Sequence, residues 1–377
     1  MRILVLNSGS SSIKFSVFVR GDDGRLRVES EGQLTGIGSD AAALKVTREG
    51  ETVEDQPHVT AGTVPEAVQL MLDAVARASA ERMDAVGYRV VHPGAVLRGH
   101  QRITPEVLRL LDEAKEFAPL HDPEAVRLIR ATMQRHPEAA HYACFDTVFH
   151  ETMPEEAKTY PLPAEYRDSG VRRYGFHGLS CESIVRRLAA EGPVPERMII
   201  AHLGSGCSVT ALRDGRSVDT TMGLTPTGGV LMGTRSGDLD PGLVLYLLRQ
   251  QSGSREDAAA AVETLLNHGS GMSVVSGTAN DMLRVREAAA DGSEPAQLAL
   301  KMFTRSITKA MGGFWWLLGG LDAIVFTGGI GEHDAATRRE VLDGIQEMGI
   351  ALATEASSKS ADKIQRISSE SSRCAVY

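Results

Sequence analysis

The chain has 377 residues, 42% of them hydrophobic and 24% charged, with a formal net charge of -9. That length exceeds one ordinary core and makes two domains the expectation, while the composition is that of a soluble globular protein. The acidic balance leaves no diffuse basic field, which argues against a nucleic-acid partner and requires any anionic ligand to be gripped locally. Cys144, Cys181, Cys207 and Cys374 form no CxxC pair, which suits a reducing compartment and argues against a zinc cluster. Only Ile3 to Leu6 precede the first polar turn as an apolar run, too short for a signal peptide. The longest apolar stretch, 311–325, is broken by glycines and Asp322 and falls short of the roughly 20 residues a membrane helix needs. It reads as a buried helix running into a strand, and a cytoplasmic, membrane-free protein is expected.

In chain order, Ile3 to Leu6 and Ile13 to Val19 predict a strand–turn–strand unit around NSGSSS, a turn rich in hydroxyls and glycine and therefore suited to an anion. A charged turn at 21–24, further strands to about residue 53 and a helix over 64–80 follow. The strand AVGYRVV, 85–91, stops at His92-Pro93-Gly94. Helices over 105–117 and 123–134 each begin with proline. A strand over 142–146 then ends on Asp146. The second half repeats the plan: MIIAH runs into LGSGCS and resumes as VTAL, placing Gly204 opposite Gly9. A third unit, DAIVF followed by TGGIGE, reads as a strand and a glycine turn, with a helix starting near Asp334. Two similar halves imply a pseudo-twofold protein with a cleft between them. Glycine turns at strand ends let backbone amides approach phosphates, although GxxxxGK[ST] and GxGxxG are both absent.

Charge stands at the ends of several elements. An arginine in the apolar strand GYRVVH must meet an acid or a ligand anion, so Arg89 either binds substrate or pairs with Asp146. His177 in YGFHG and His121 in APLHDP read as a backbone-bonded loop histidine and a residue before a helix cap, or as site residues. Asp238 and Asp240 read as turn and cap residues ahead of Pro241.

Taken together and in order, VLNSGSSSIKF, GYRVVH, APLHDP, FDTVFH, YGFHGLS, AHLGSGCS, TPTGGVLMGTRSGDLDPG and FTGGIGE resemble the acetate kinase family of short-chain carboxylate kinases, over almost the whole chain. The resemblance implies an α/β, duplicated ribonuclease H-like fold of the actin-like ATPase and sugar kinase superfamily. It implies an N-terminal lobe over 1–148 and a C-terminal lobe over 149–377, with ATP in the interdomain cleft and a homodimer formed mainly by the second lobe. Mg²⁺ and ATP or ADP are the implied cofactor and co-substrate, and acetate or another short-chain carboxylate is the implied partner. The family pattern puts its magnesium-associated asparagine at Asn7 and its phosphate-loop residues at Ser10, Ser12 and Lys14. Its catalytic set falls on Arg89, Asp146, His177 and Arg235. The acyl pocket matches Arg89, Val91, Leu120, Phe176 and Pro226, with His121 near the reacting groups. Nucleotide contacts fall on His202, Leu203, Gly204, Ser205, Gly206, Asp281, Met282, Leu283, Gly329, Ile330, Gly331, Glu332 and His333.

These residue types suit transfer of the γ-phosphoryl group to a carboxylate, because two anions must be brought together and their charge neutralised. Acetate is already ionised at neutral pH, so Asp146 is expected to orient its neighbours and not to abstract a proton. Propionate or butyrate are alternative substrates, and a non-catalytic actin-like nucleotide-binding protein is the alternative of another class. Pro93, Ser205, Leu283 and His333 depart from the family pattern, which puts the acyl loop's stiffness and the nucleotide preference in question. Family members also continue beyond the strand-like run 373–377 into an acidic turn, whose glutamate helps position magnesium, and a last helix. Without them the 377-residue chain is expected to show weak Mg²⁺ coupling, low turnover and aggregation.

Overall fold

The computed structural model describes residues 1–9, 12–79, 82–114, 122–353 and 364–377. The chain divides into two compact units, Met1–Val148 and Phe149–Tyr377, each built on one sheet. The first holds β1 (Arg2–Ser8), β2 (Ser12–Arg20), β3 (Leu26–Thr35), β4 (Ala43–Arg48), β5 (Glu51–Gln56), α1 (Val64–Ala78), β6 (Ala85–Val90), β7 (Gln101–Arg102), α2 (Pro105–Glu113), α3 (Asp122–Arg135) and β8 (Ala140–Phe145). Its strand order is β5-β4-β3-β2-β1-β6-β8-β7. Side-chain alternation decides the two faces: Leu4, Leu6, Phe15, Val17, Tyr88, Val90 and Phe145 are buried on the face that α1 and α3 cover, while Val5, Lys14 and Tyr142 stay exposed on the other. Local chemistry sets the helix starts. Thr63 and Glu66 close a capping box on α1, and the Thr104 hydroxyl caps α2 ahead of Pro105.

The second unit contains α4 (Glu155–Lys158), α5 (Ala164–Asp168), α6 (Gly178–Glu191), β9 (Arg197–Leu203), β10 (Cys207–Arg213), β11 (Arg216–Thr220), α7 (Pro241–Gln250), α8 (Arg255–His268), α9 (Gly271–Ser276), α10 (Met282–Ala290), α11 (Glu294–Leu318), β12 (Ala323–Thr327), α12 (Gly328–His333), α13 (Ala335–Leu342) and β13 (Ala375–Val376). Its sheet runs β11-β10-β9-β12-β13. β9 is antiparallel to β10 and parallel to β12, as β1 is antiparallel to β2 and parallel to β6. The outer parallel strands, β8 and β13, complete the correspondence. Strand for strand, β3-β2-β1-β6-β8 and β11-β10-β9-β12-β13 are one ribonuclease H-like arrangement made twice.

Two expectations change. The stretch TGGIGE reads as a turn, yet Gly328–His333 is helical. Glycine weakens helices, but the Glu332 carboxylate reaches back to accept from the Gly328 N–H at 3.0 Å and from the Thr327 hydroxyl at 3.1 Å, which holds the start of α12. The run 311–325 does pass from helix to strand, but its helical part is not buried all round: Met311 and Leu318 are buried, whereas Trp316 is 88% exposed. Among the described residues no helix is long and apolar enough to cross a membrane.

Candidate functional site

In the first unit, cross-strand register assembles a polar cluster. Asn7 on β1 lies opposite Lys14 on β2 and opposite Arg89 on β6, so the three share one face. Asp146 follows the end of β8, where Val90 and Phe145 pair. Arg89 donates from Nη1 to Asn7 Oδ1 at 3.0 Å, from Nε to Asp146 Oδ2 at 2.9 Å, and from Nη2 to the same oxygen. Burial alone would lower the Arg89 pKa; the Asp146 carboxylate more than offsets this and holds it above its ordinary value. The ion pair between Arg89 and Asp146 read from the sequence is therefore present, and it aims the guanidinium. Lys14 is exposed, Ser12 is half-buried at the start of β2, and Val91 is buried just past β6. In the loop that carries Pro93, the Gly94 N–H donates to His92 Nδ1 at 2.9 Å. Ser10, Leu120 and His121 lie outside the described residues.

A magnesium ion fits this cluster by donor chemistry. Asn7 Oδ1 and the Asp146 carboxylate are hard oxygens held on one guanidinium, and Mg²⁺ takes few protein ligands beside phosphate and water. Among the described residues no group of three or more His, Cys, Asp and Glu side chains forms a dedicated cage.

The second unit gathers another set around the three-residue turn between β9 and β10. His177, at the N-terminal cap of α6, has left-handed backbone angles (φ 60°, ψ 21°), a conformation that is costly outside glycine and concentrated at functional sites. Its ring stacks on that of His202, with centroids 4.2 Å apart. His177 Nδ1 lies 3.0 Å from Ser208 Oγ, and His202 Nδ1 lies 3.0 Å from Ser180 Oγ. A β-carbon on Gly206 would stand 3.1 Å from Arg235 Nη1 and 3.3 Å from His177 Nε2, so glycine is what lets the turn approach both groups closely. Arg235 is steadied by a hydrogen bond from Nη1 to the Pro226 carbonyl at 3.1 Å. Pro226 thus meets this cluster through its backbone. Phe176 is fully buried beside His177. The Cys207 thiol, pushed up to about 12 by burial, donates to the Gly204 carbonyl at 3.2 Å and closes the turn.

Next to this turn lies a groove of about 640 Å³ whose walls include Gly204, Ser205, Asp281, Met282, Leu283, Gly329, Ile330 and His333. Eight of the thirteen expected nucleotide residues therefore share one cavity. The others sit elsewhere: Leu203 is buried in β9, His202 and Gly206 belong to the histidine cluster, Gly331 is buried in α12, and Glu332 is turned back on Gly328. Leu283 is 64% exposed on the groove wall, and Arg284 pairs with Glu287 at 3.1 Å. Sequence reading missed Arg286 and Asp334. Both line the groove, and Arg286 is held by Asp334 at 3.0 Å and Thr337 at 2.9 Å. No local motif links positions so far apart in the chain.

A duplicated ribonuclease H-like sheet plan, with a polar turn after the central strand of each copy and a groove beside the second, defines a phosphotransferase of the nucleotide-binding class. The chain belongs to the acetokinase family, whose model matches residues 2–377. It is 41% identical over 364 residues to the acetate kinase of Syntrophobacter fumaroxidans, covering 93% of this chain and 87% of the relative. It is 43% identical to that of Deinococcus radiodurans, covering 94% and 88%. Among solved structures it resembles Porphyromonas gingivalis acetate kinase (TM-score 0.85, 34% identity, covering 100% of this chain and 94% of that one). It also resembles a propionate kinase from Francisella tularensis (TM-score 0.88, 32% identity, with the same coverage).

Proposed function

We propose that this enzyme transfers the γ-phosphoryl group of ATP to acetate, reversibly, giving acetyl phosphate and ADP. The observation that carries the residue assignment is the convergence of Arg235 Nη1 and His177 Nε2 on Gly206, in the turn whose Gly204 and Ser205 line the nucleotide groove. A guanidinium and an imidazole that converge on a glycine turn suit an anionic phosphoryl group. Arg235 neutralises the charge that spreads over the equatorial oxygens of the transferring group, and His177 gives it a hydrogen bond. Arg89, aimed by Asp146 and Asn7, takes the substrate carboxylate, while Val91, Phe176, Leu120 and Pro226 are assigned to its acyl group. Asp146 acts by holding Arg89, since acetate needs no base to become a nucleophile. Lys14, Ser10 and Ser12 are assigned to the phosphates, and His121 to the neighbourhood of the reacting groups. Magnesium bound to ATP would be met by Asn7 and Asp146 and would supply charge neutralisation at the phosphates.

A cytoplasmic location is part of the same proposal, since that compartment supplies MgATP and acetate. A second copy of the chain is the proposed partner of the second unit. Its α7 carries the run LVLYLL with no buried residue, and Leu298, Met302, Trp316 and Leu317 on α11 are exposed. Sedimentation at several concentrations tests this: a dimer is expected, and a monomer at every concentration rejects it. The activity itself is tested by trapping acyl phosphate as hydroxamate with acetate, propionate and butyrate in MgATP. One methylene in a small pocket is worth about 1–3 kcal/mol, so acetate is expected to lead with propionate accepted. Failure on all three rejects the assignment, and a lead for propionate moves the enzyme toward the activity named for its Francisella neighbour.

A further inference from the structure

We infer that Ser208 is a positioning residue that fixes the tautomer of His177, and so decides which ring nitrogen offers its proton to the transferring group; this rests on the role given to His177 above. Ser208 lies on β10 and is fully buried. Its Oγ stands 3.0 Å from His177 Nδ1, and among the described residues that contact is the hydroxyl's one hydrogen bond. A serine hydroxyl carries a proton at every accessible pH, and a buried donor needs an acceptor. Ser208 therefore donates to Nδ1. The neutral imidazole then carries its own proton on Nε2, the atom that approaches Gly206 on the side where Arg235 Nη1 also approaches it. Were Nδ1 to hold the proton, the Ser208 hydroxyl would lose its acceptor and Nε2 would turn a lone pair toward an incoming anion.

The neighbouring ring also has a serine hydroxyl at its Nδ1. Ser180 on α6 lies 3.0 Å from His202 Nδ1, and His202 stacks on His177 at 4.2 Å. The two serines come from different elements, β10 for one and α6 for the other. Ser208 acts on direction and not on charge. Its removal leaves Arg235 and the turn in place and lets the imidazole proton distribute over both nitrogens.

The test is long-range proton–nitrogen NMR of the ¹⁵N-labelled enzyme, with His177→Gln to assign the signals, alongside steady-state kinetics. Wild type is expected to show His177 as the Nε2-protonated tautomer. Ser208→Ala is expected to mix the tautomers and lower kcat about 10-fold, with KM for ATP and acetate within about 2-fold, as for loss of a group that orients a histidine. Ser208→Thr, which keeps the hydroxyl, is expected to restore both. Ser180→Ala is expected to alter the His202 signals and leave those of His177. A wild-type spectrum with the proton on Nδ1 overturns the inference whatever the variants do, and so does an active Ser208→Ala enzyme with unchanged tautomer and kcat. A wild-type enzyme inactive on every carboxylate overturns the functional assignment instead, and leaves the spectrum to decide the tautomer.

Discussion

Replacing Arg89 by alanine removes three hydrogen bonds at once, one to Asn7 and two to Asp146 Oδ2. The Asp146 side chain is 3% exposed, so it becomes a buried carboxylate without a counter-charge. Breaking such a pair costs about 3–5 kcal/mol; the Arg89 side chain is 32% exposed, water reaches the vacated side, and the expected loss lies near the lower figure, about 3 kcal/mol. Turnover is expected to fall about 100-fold, the effect of taking one charge clamp from a phosphoryl transition state. The two losses separate. Asp146→Asn in the Arg89→Ala background removes the buried charge, so most of the stability should return while kcat stays low. Hydroxamate trapping gives the rates, and urea unfolding of the same preparations gives the stabilities. An Arg89→Ala enzyme with wild-type kcat removes this arginine from the mechanism. A double variant no more stable than the single one refutes the buried-charge account.

Gly206→Ala puts a methyl group 3.1 Å from Arg235 Nη1 and 3.3 Å from His177 Nε2, so kcat/KM for ATP is expected to fall about 10-fold or more with little change in melting temperature; unchanged kinetics would show that no reactant uses that space. Gly328 has φ +79°, and a β-carbon there would meet the Leu203 carbonyl oxygen at 2.6 Å, so Gly328→Ala should destabilise the enzyme by about 2 kcal/mol or more, read from urea midpoints. A loss below about 0.5 kcal/mol would contradict that backbone constraint. His141, bonded to the Tyr88 hydroxyl at 2.7 Å, is held below its ordinary pKa by burial. The unfolded chain then binds the proton more tightly, so this contribution is complete above about pH 6.5 and is lost as the pH falls. His136 shifts the same way, so His141→Gln is expected to remove part of the stability slope between about pH 7 and pH 5, and an unaltered slope would refute its share.

The strands that position the site were legible because their patterns are local. The apolar run before Asn7, the arginine inside an apolar strand and the repeat of the hairpin at Gly204 all follow from residues within a few positions of one another. The partnership of Arg89 with Asp146 was legible as an alternative, since an arginine in such a strand needs an acid. What escaped depends on distance or on what lies opposite. Arg286 and Asp334 meet across 48 positions of sequence, and Ser208 is one serine in a strand, with nothing beside it to announce a histidine. Gly328–His333 was misread because glycine marks turns by propensity, whereas here a single glutamate folding back on the helix start outweighs it. The exposed side of α11 was misread because hydrophobicity reports a preference for cover and not its source.

Trp315 and Trp316 are the chain's two tryptophans, neighbours near the end of α11. Nearly all indole emission therefore originates from one surface patch, and Trp316, at 88% exposure, dominates its response to solvent. The enzyme carries a built-in optical label at that patch. A collisional quencher reaches it directly in the isolated chain, and any macromolecule that settles there shields it and moves its emission toward the blue.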